Sequence, residues 1–347
     1  MRDILISENI RGAAVDALST RFDVACLPDL WKDPNALAAQ IADFRALIVR
    51  NQTRVTSALL AAAPNLKVIG RAGVGLDNVD VDYATKAGIL ITYTPDQNAI
   101  SVAEIAIGQM LSLARSIPNA NYDTKGGNWN RQQFIGIELY GKTLGIIGAG
   151  KIGYLTARRA QAFGMKVLAY DPFLTQDNVY LSELNAELLE LDELLARADI
   201  VSCHLPATPQ TIGLMDGTRF RKMKPTAYFI NTARGEVVRE ADLLAALKAK
   251  RIAGAALDVR AKEPPEPGEL ELLPNVILTP HIAAFTREAQ QRVTKAICED
   301  VARVLDGMPA QNIVNGHPHE IRRRYGRLRE AAKITSRIGG DGVVPLR

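Results

Sequence analysis

The sequence predicts an α/β protein built as two parallel-sheet domains, and three observations carry that expectation. Short β-branched runs alternate with helix-like stretches of apolar periodicity from the first residues onward. The alternation breaks at a long apolar helical stretch starting at Ala99 and resumes, more regularly, at Thr143. The chain, 347 residues long, is also too large for one ordinary core and comfortable for two.

In the first part, strands are expected at Ile4–Ser7, Phe22–Cys26, Ala46–Arg50, Lys67–Gly70 and Ile89–Thr92. Helical segments lie between them at Ala13–Thr20, Leu37–Ala42 and Ser57–Ala63. Ala99–Ser116 is apolar almost all round, with Ile100, Ile105, Ile107, Met110, Leu111 and Leu113. Such a helix must be buried, between domains or against a second subunit. A polar, Gly- and Asn-rich stretch, Asn119–Asn130, follows. The second series of strands is expected at Thr143–Ile147, Lys166–Tyr170, Ile200–Cys203, Ala227–Asn231, Gly254–Val259 and Val276–Leu278. A last helix, Thr286–Leu305, carries Val293, Ile297, Val301 and Val304–Leu305 near helical spacing, and Pro309–Val314 can return the chain to the first domain. The expected domains are therefore residues 1–98 with 285–315, residues 99–284, and a basic tail, 316–347.

Composition narrows the function classes. Apolar residues make up 47% and charged residues 23%, the balance of a soluble globular protein. No apolar run approaches the ~20 residues of a membrane span, and Met1-Arg2-Asp3-Ile4 is charged too soon for a secretion signal. Cys26, Cys203 and Cys298 are odd in number and widely separated, which argues against a disulfide framework or a metal site and suits a reducing cytoplasm. The net charge of +4 leans on Arg322-Arg323-Arg324, Arg327 and Arg329 in the tail, which is expected to be solvated and partly disordered. A nucleic-acid binder would instead spread such charge over a folded face with interleaved aromatics.

One motif points to a phosphate-bearing ligand. The strand Thr143-Leu144-Gly145-Ile146-Ile147 runs into Gly148-Ala149-Gly150-Lys151-Ile152-Gly153, and a helix follows with Ile152, Leu155, Ala160 and Phe163 on one side. Gly148 would permit the tight turn, Gly150 would let a pyrophosphate approach the backbone, and Gly153 would let helix and strand pack closely. The helix N-terminus offers N–H groups to the phosphates. Asp171 ends the next strand, 18 residues beyond Gly153, at the distance for gripping a ribose diol. Its charge would repel a 2′-phosphate, and neither Pro172 nor Phe173 compensates, so NAD is expected rather than NADP.

Three further segments stand at strand ends, where ligands bind in open α/β sheets. They are Asn231-Thr232-Ala233-Arg234-Gly235, Asp258-Val259-Arg260-Ala261-Lys262-Glu263-Pro264 and Leu278-Thr279-Pro280-His281-Ile282. They supply a guanidinium to hold a carboxylate and polarise a carbonyl, an imidazole to pass a proton, and a carboxylate to orient that imidazole. Hydride chemistry on a 2-keto acid needs this set.

With these segments in place, the chain resembles the D-isomer-specific 2-hydroxyacid dehydrogenase family over nearly all of residues 1–315. The likeness also takes in Gly70-Arg71-Ala72-Gly73-Val74-Gly75-Leu76-Asp77-Asn78-Val79-Asp80 and Ser101-Val102-Ala103-Glu104. It implies two Rossmann-like domains, a dinucleotide-binding doubly wound sheet and a flavodoxin-like substrate domain, with the active site in the cleft. It implies that Arg234 orients the substrate, His281 is the acid/base and Glu263 is the histidine's partner. Glutamine in place of Glu263 would point to formate dehydrogenases. Asp258 would contact the nicotinamide carboxamide, with Lys151, Ile152, Pro206, Thr232, Ala233 and Ala284 lining the cofactor. The N–H groups around Val74 and Gly75 would receive the substrate carboxylate. Arg50, Asn51 and Gln52 stand at the end of the first domain's third strand, where Arg50 would either meet a second anionic group or form a structural salt bridge, and Arg131 has the same two readings. The implied substrate pair is 3-phosphoglycerate and 3-phosphohydroxypyruvate, with hydroxypyruvate or glyoxylate reduction and sulfolactate oxidation as alternatives. A homodimer with no membrane or nucleic-acid partner is expected. Some members carry a serine-binding regulatory domain, for which the stretch after Pro318 is too short, so serine control is not expected. Proteins of this fold also serve as NAD-sensing corepressors, but Arg234, Glu263 and His281 together favour an enzyme.

Other residues receive plainer readings. His204 is expected to be a satisfied structural histidine and Cys203 an inert buried thiol. His317-Pro318-His319 lacks nearby acidic or thiol partners and reads as exposed tail, not as a metal site.

Overall fold

The computed structural model describes residues 2–316, so the basic tail and His317-Pro318-His319 lie outside the described residues. The chain divides into two compact units, one made of the residues up to Asn98 with those from Arg287 on, the other of Ala99–Thr286.

In the first unit the chain runs β1 (Arg2–Ile6), α1 (Ala13–Ser19), β2 (Val24–Cys26), α2 (Pro34–Ile41), β3 (Phe44–Val49), α3 (Ser57–Ala61), β4 (Val68–Arg71), α4 (Val81–Ala87) and β5 (Leu90–Thr92). The strands form one parallel sheet in the order β2-β1-β3-β4-β5, with Ile4 opposite Ala46 and Ile48 opposite Gly70. Strands covered on both faces read as unbroken apolar runs, as Ala46-Leu47-Ile48-Val49 does, every one of them fully buried. Acidic caps start two helices: Asp33 accepts from the N–H groups of Asn35 and Ala36 at α2, and Asp80 from that of Tyr83 at α4.

The second unit opens with α5 (Ala99–Arg115) and α6 (Ile117–Lys125). It continues through β6 (Thr143–Ile147), α7 (Lys151–Ala162), β7 (Lys166–Tyr170), α8 (Val179–Leu184), β8 (Glu187–Leu188), α9 (Leu191–Arg197) and β9 (Ile200–Cys203). It ends with α10 (Gly217–Lys222), β10 (Tyr228–Asn231), α11 (Glu240–Lys248), β11 (Gly254–Leu257) and β12 (Val276–Leu278). Seven parallel strands lie in the order β12-β11-β10-β9-β6-β7-β8. Then α12 (Arg287–Leu305) returns to the first unit, burying Val293, Ile297, Val301 and Val304 against α1, β3 and β4. The segment after it joins the first sheet's edge: the Val314 N–H donates to Ile91 O at 2.9 Å, and Ile313 bridges Thr92.

Both sheets are thus α/β layers of the doubly wound kind, and each reverses its strand order once, between β1 and β3 in the first and between β6 and β9 in the second. Crevices outside the carboxyl ends of strands at such reversals are where ligands bind in these folds.

Several local expectations need correction. The polar stretch Asn119–Asn130, to which the sequence assigns no element, begins inside α6, which runs to Lys125. Ser116, at φ +49°, turns the chain, and Pro118 sits in the first helical turn. No residue of α6 is buried, so no apolar stripe announced it. In α5, Ile100 is exposed, and the buried face of Val102, Ala103, Ala106, Met110 and Leu113 packs on its own unit's α7, β10 and β11. In α7 the buried side is Gly153, Tyr154, Ala157 and Ala160, while Phe163 lies exposed past its end, since the helix leans on α5 and β6 rather than on the face first expected. Among the described residues no single helix is long and apolar enough to cross a membrane, and no group of three His, Cys, Asp or Glu could hold a metal ion.

Candidate active site

The glycine turn follows β6, at the second sheet's reversal. Gly148 has φ +94°, and a Cβ on it would stand 3.0 Å from the His204 carbonyl carbon, so both backbone and space demand glycine. A Cβ on Gly153 would stand 2.2 Å from Gly148 O and 2.9 Å from Ile146 Cγ2, which fixes how closely α7 meets β6. Gly150 differs: a Cβ there would meet nothing within 4 Å. It is also the N-cap of α7, with no side chain capping the helix. Open space beside an uncapped helix N-terminus fits a phosphate group.

Asp171 closes the turn from β7. Its Oδ2 accepts from the Ala149 N–H and its Oδ1 from the Phe173 N–H, both at 3.0 Å. A carboxylate has about four lone-pair positions, so two remain for a diol. Lys151 Nζ lies 5.9 Å from the Tyr154 ring centre and 5.6 Å from that of Tyr180, and the two rings stack at 4.5 Å. Neither tyrosine stands out in the sequence, because nothing in the spacing pairs a residue on α7 with one on α8.

The loop after β10 is held by Asn231, which is buried. Its Oδ1 accepts from the Ala233 N–H at 3.0 Å and its Nδ2 donates to Arg234 O at 2.9 Å. This side chain bonding its own turn sets the backbone of Arg234. The Arg234 guanidinium donates to Ala233 O at 2.7 Å. Next to it, a Cβ on Gly235 would stand 2.0 Å from the Arg260 carbonyl carbon, so glycine lets this loop abut the one after β11. Thr232 Oγ1, on the same loop, is buried with no hydrogen-bond partner within the protein.

His281 is positioned from below by Asp258, 1% exposed at the end of β11. Asp258 Oδ1 accepts from Thr279 Oγ1 at 2.6 Å and from the Ile282 N–H at 3.0 Å, and Oδ2 accepts from the Ala283 N–H at 2.8 Å. Its carbonyl accepts from the His281 N–H at 2.8 Å. These bonds hold His281 at φ +54°, a left-handed conformation that costs a non-glycine residue about 1–2 kcal/mol. Three lone-pair positions of the Asp258 carboxylate are thus engaged in shaping the histidine loop.

His281 Nδ1 and Glu263 Oε2 are 2.6 Å apart. The ionised carboxylate accepts, so the proton lies on Nδ1 and Nε2 is the ring position open to exchange. The other Glu263 oxygen accepts from the Arg260 N–H at 3.0 Å. Burial pushes the Glu263 carboxyl up, but the hydrogen bonds from His281 and Arg260 and the charges of His281 and Arg234 outweigh it and hold Glu263 below its ordinary value. Arg260 itself, 12% exposed, is bracketed by Glu240 and Glu271, and the Ala261 N–H donates to Glu240 Oε1 at 2.6 Å. No sequence pattern announces this clamp, because its members come from three separate segments.

Burial governs His204 and Cys203. His204 is buried, bonds Ser202 Oγ at 2.9 Å through Nε2, and is driven by burial down to about 3, so it stays neutral. Its Nδ1 has no partner within the protein, so the histidine is only half satisfied. Burial raises the Cys203 thiol to about 11, which removes its nucleophilic form at neutral pH.

Arg50, Asn51, Val74 and Gly75 belong to the first unit, in the loops after β3 and β4, whereas Arg234, Glu263 and His281 belong to the second. Burial lowers the Arg50 pKa, and Glu8 opposes it.

Residues 107–283 match the model of the D-isomer specific 2-hydroxyacid dehydrogenase, NAD binding domain. The chain belongs to that family. Among curated relatives, it is 44% identical over 314 residues to the D-3-phosphoglycerate dehydrogenase of Archaeoglobus fulgidus, covering 90% of this chain and 59% of that protein. It is 41% identical over 340 residues to the enzyme of the same name from Methanocaldococcus jannaschii, covering 98% and 64%. The chain thus spans about three fifths of the length of these relatives. Among solved structures, it superposes with a TM-score of 0.81 on the D-lactate dehydrogenase from Aquifex aeolicus complexed with NAD and lactic acid, at 30% identity over 91% of this chain and 99% of that one.

Proposed function

We propose that the chain is an NAD-dependent dehydrogenase interconverting a small D-2-hydroxy acid and its 2-keto acid, with 3-phosphoglycerate and 3-phosphohydroxypyruvate as the leading pair. The observation that carries this reading is the 2.6 Å contact between His281 Nδ1 and Glu263, within the field of Arg234. The relatives named above support the substrate pair.

Gly148, Gly150, Lys151, Ile152 and Gly153 would hold the pyrophosphate, with Asp171 on the ribose and Pro206, Thr232, Ala233, Asp258 and Ala284 along the rest of the cofactor. NADH held there would supply the hydride that adds to the α-carbon. Arg234 binds the substrate carboxylate and polarises the carbonyl. As the carbonyl oxygen gains negative charge, His281 gives it the Nε2 proton, and Glu263 stabilises the imidazolium before transfer and keeps the neutral ring oriented afterwards. In the reverse direction the neutral ring takes the hydroxyl proton. The backbone N–H groups of Val74 and Gly75, with Arg50 and Asn51, receive the anionic groups of the acid. Arg50 favours an acid with a second anion, and so ranks phosphate and sulfonate substrates above glyoxylate.

The working form is proposed to be a homodimer. Ile117, Tyr122, Trp129, Ile135 and Tyr140 are all exposed in one stretch of the second unit, apolar and aromatic surface that a second copy of the chain would cover. Three free cysteines suit a reducing cytoplasm.

The test is steady-state NADH oxidation with 3-phosphohydroxypyruvate, hydroxypyruvate, glyoxylate and sulfopyruvate. The expected result is highest kcat/KM for the phosphorylated acid. Tight NADH binding without turnover of any of the four would replace the enzyme by an NAD-sensing binding protein.

A further inference from the structure

Glu8 has no part in the reaction just described, yet it is a carboxylate only 3% exposed. It lies two residues beyond β1, beside the first sheet's reversal in strand order, and Arg50 follows β3 on the other side of that reversal. Glu8 Oε1 accepts from the N–H groups of Arg50 at 2.8 Å and Thr53 at 3.0 Å, and Oε2 accepts from that of Gln52 at 3.2 Å. The loop from Arg50 to Thr53 is therefore wrapped round one charged group. Asn78 grips the same loop from its carbonyl side, its Nδ2 donating to Arg50 O at 3.1 Å and to Thr53 O at 2.8 Å. Ser7 Oγ and Thr53 Oγ1 are 2.8 Å apart.

We propose that Glu8 is a positioning residue that sets the preference for 2-keto acids bearing a second anion, by fixing the backbone of the loop that carries Arg50 and Asn51. The proposal rests on the role given above to Arg50. Three converging N–H donors suit a carboxylate, whose charge-assisted bonds are stronger than those of an amide. An amide in its place would turn an NH2 group toward at least one of those donors. The negative charge also offsets the burial of the Arg50 guanidinium, so losing it disturbs the cation as well as the loop. A carboxylate that merely capped the loop would affect folding and leave substrate choice alone.

The experiment compares the full chain with Glu8→Gln, Glu8→Asp and Arg50→Met, each assayed with NADH against 3-phosphohydroxypyruvate and against pyruvate, which has no second anion. Glu8→Gln is expected to raise KM for the phosphorylated acid about tenfold while kcat, KM for pyruvate and Kd for NADH stay within about twofold. Glu8→Asp should recover part of the preference. Should Glu8→Gln not fold, Asn78→Ala removes both bonds to the carbonyl side of the same loop and is expected to lower the preference about threefold to tenfold. Equal changes for both acids, or a lowered Tm with the preference intact, overturn the role of Glu8. If Arg50→Met also leaves the preference unchanged, or the wild type turns over neither acid, the reading of Arg50 falls and takes this inference with it.

Discussion

The two sheets each reverse strand order once, and the chain furnishes the two crevices in opposite ways. At the reversal in the second sheet it places an uncharged backbone turn, Gly148 to Gly153, shaped by glycines that a Cβ would disrupt at two of three positions. At the reversal in the first sheet it buries a charge, Glu8, and wraps a loop around it. A second buried acid, Asp258, does the same for the loop of His281. Phosphate recognition by a helix N-terminus needs only correct backbone, which glycine provides cheaply. Aiming a side chain needs a loop with one conformation, and a buried carboxylate saturated with backbone donors imposes that better than an exposed one can. Glu8 and Asp258 each fix the loop that carries a side chain proposed for the reaction.

The largest effect should come from the reacting group itself. His281→Ala is expected to lower kcat by about 10²-fold or more, with Kd for NADH near that of the wild type, since the glycine turn is untouched. Stopped-flow single turnovers and a fluorescence titration measure the two. A matching loss of NADH affinity would mean that His281 holds cofactor rather than moving a proton.

Next in size is the acid beneath it. Asp258→Asn keeps the shape but puts an NH2 group where an oxygen accepts from backbone N–H, so the loop of Thr279 to Ala283 should shift and kcat fall about tenfold, the worth of one charge-assisted bond. This variant should act on kcat, whereas Glu8→Gln acts on KM. If both acids changed the same kinetic constant, the distinction between the two loops would be lost.

How much of this the sequence discloses follows the same division. The turn at Gly148 to Gly153 and Asp171 can be read directly, because strand, turn, helix and acid follow one another in order and each glycine has a local reason. His281, Glu263 and Arg234 can be read because strand ends in such sheets converge, though only coordinates bring Glu263 to 2.6 Å from His281. Glu8 and the clamp of Glu240, Arg260 and Glu271 cannot be read. Glu8 meets backbone atoms some 42 to 45 residues away, and backbone donors leave no trace in residue identity. Helix α6 escapes for another reason: an exposed helix has no apolar period to display. Asp258 shows the remaining kind of gap, where position is legible but the partners are not.

A smaller effect is expected at the cofactor's ribose. Asp171→Ala should narrow the preference for NADH over NADPH by about tenfold, chiefly by removing repulsion of a 2′-phosphate. Because Asp171 also accepts from the Ala149 N–H, KM for NADH should rise a little as the turn loosens. Unchanged discrimination would assign the ribose contact to another group.

The smallest effect is on stability and has a definite pH signature. Glu263 is held below the usual carboxyl value of 4.5, so the native state binds its proton less readily than the unfolded chain does. The stabilisation this represents is fully present above the unfolded value and is lost as pH falls through the lower native one. Glu263→Gln has no such titration, so the Tm gap between wild type and variant should shrink as pH falls below about 4.5. Both partners are about one third exposed, at 37% and 36%, and solvent screening should keep the gap near 1 kcal/mol or less. Calorimetry from pH 3 to 7 reads it. A gap that persists undiminished at pH 3 would show that Glu263 stabilises the loop by shape, through its bond to the Arg260 N–H, and that its charge serves the histidine alone.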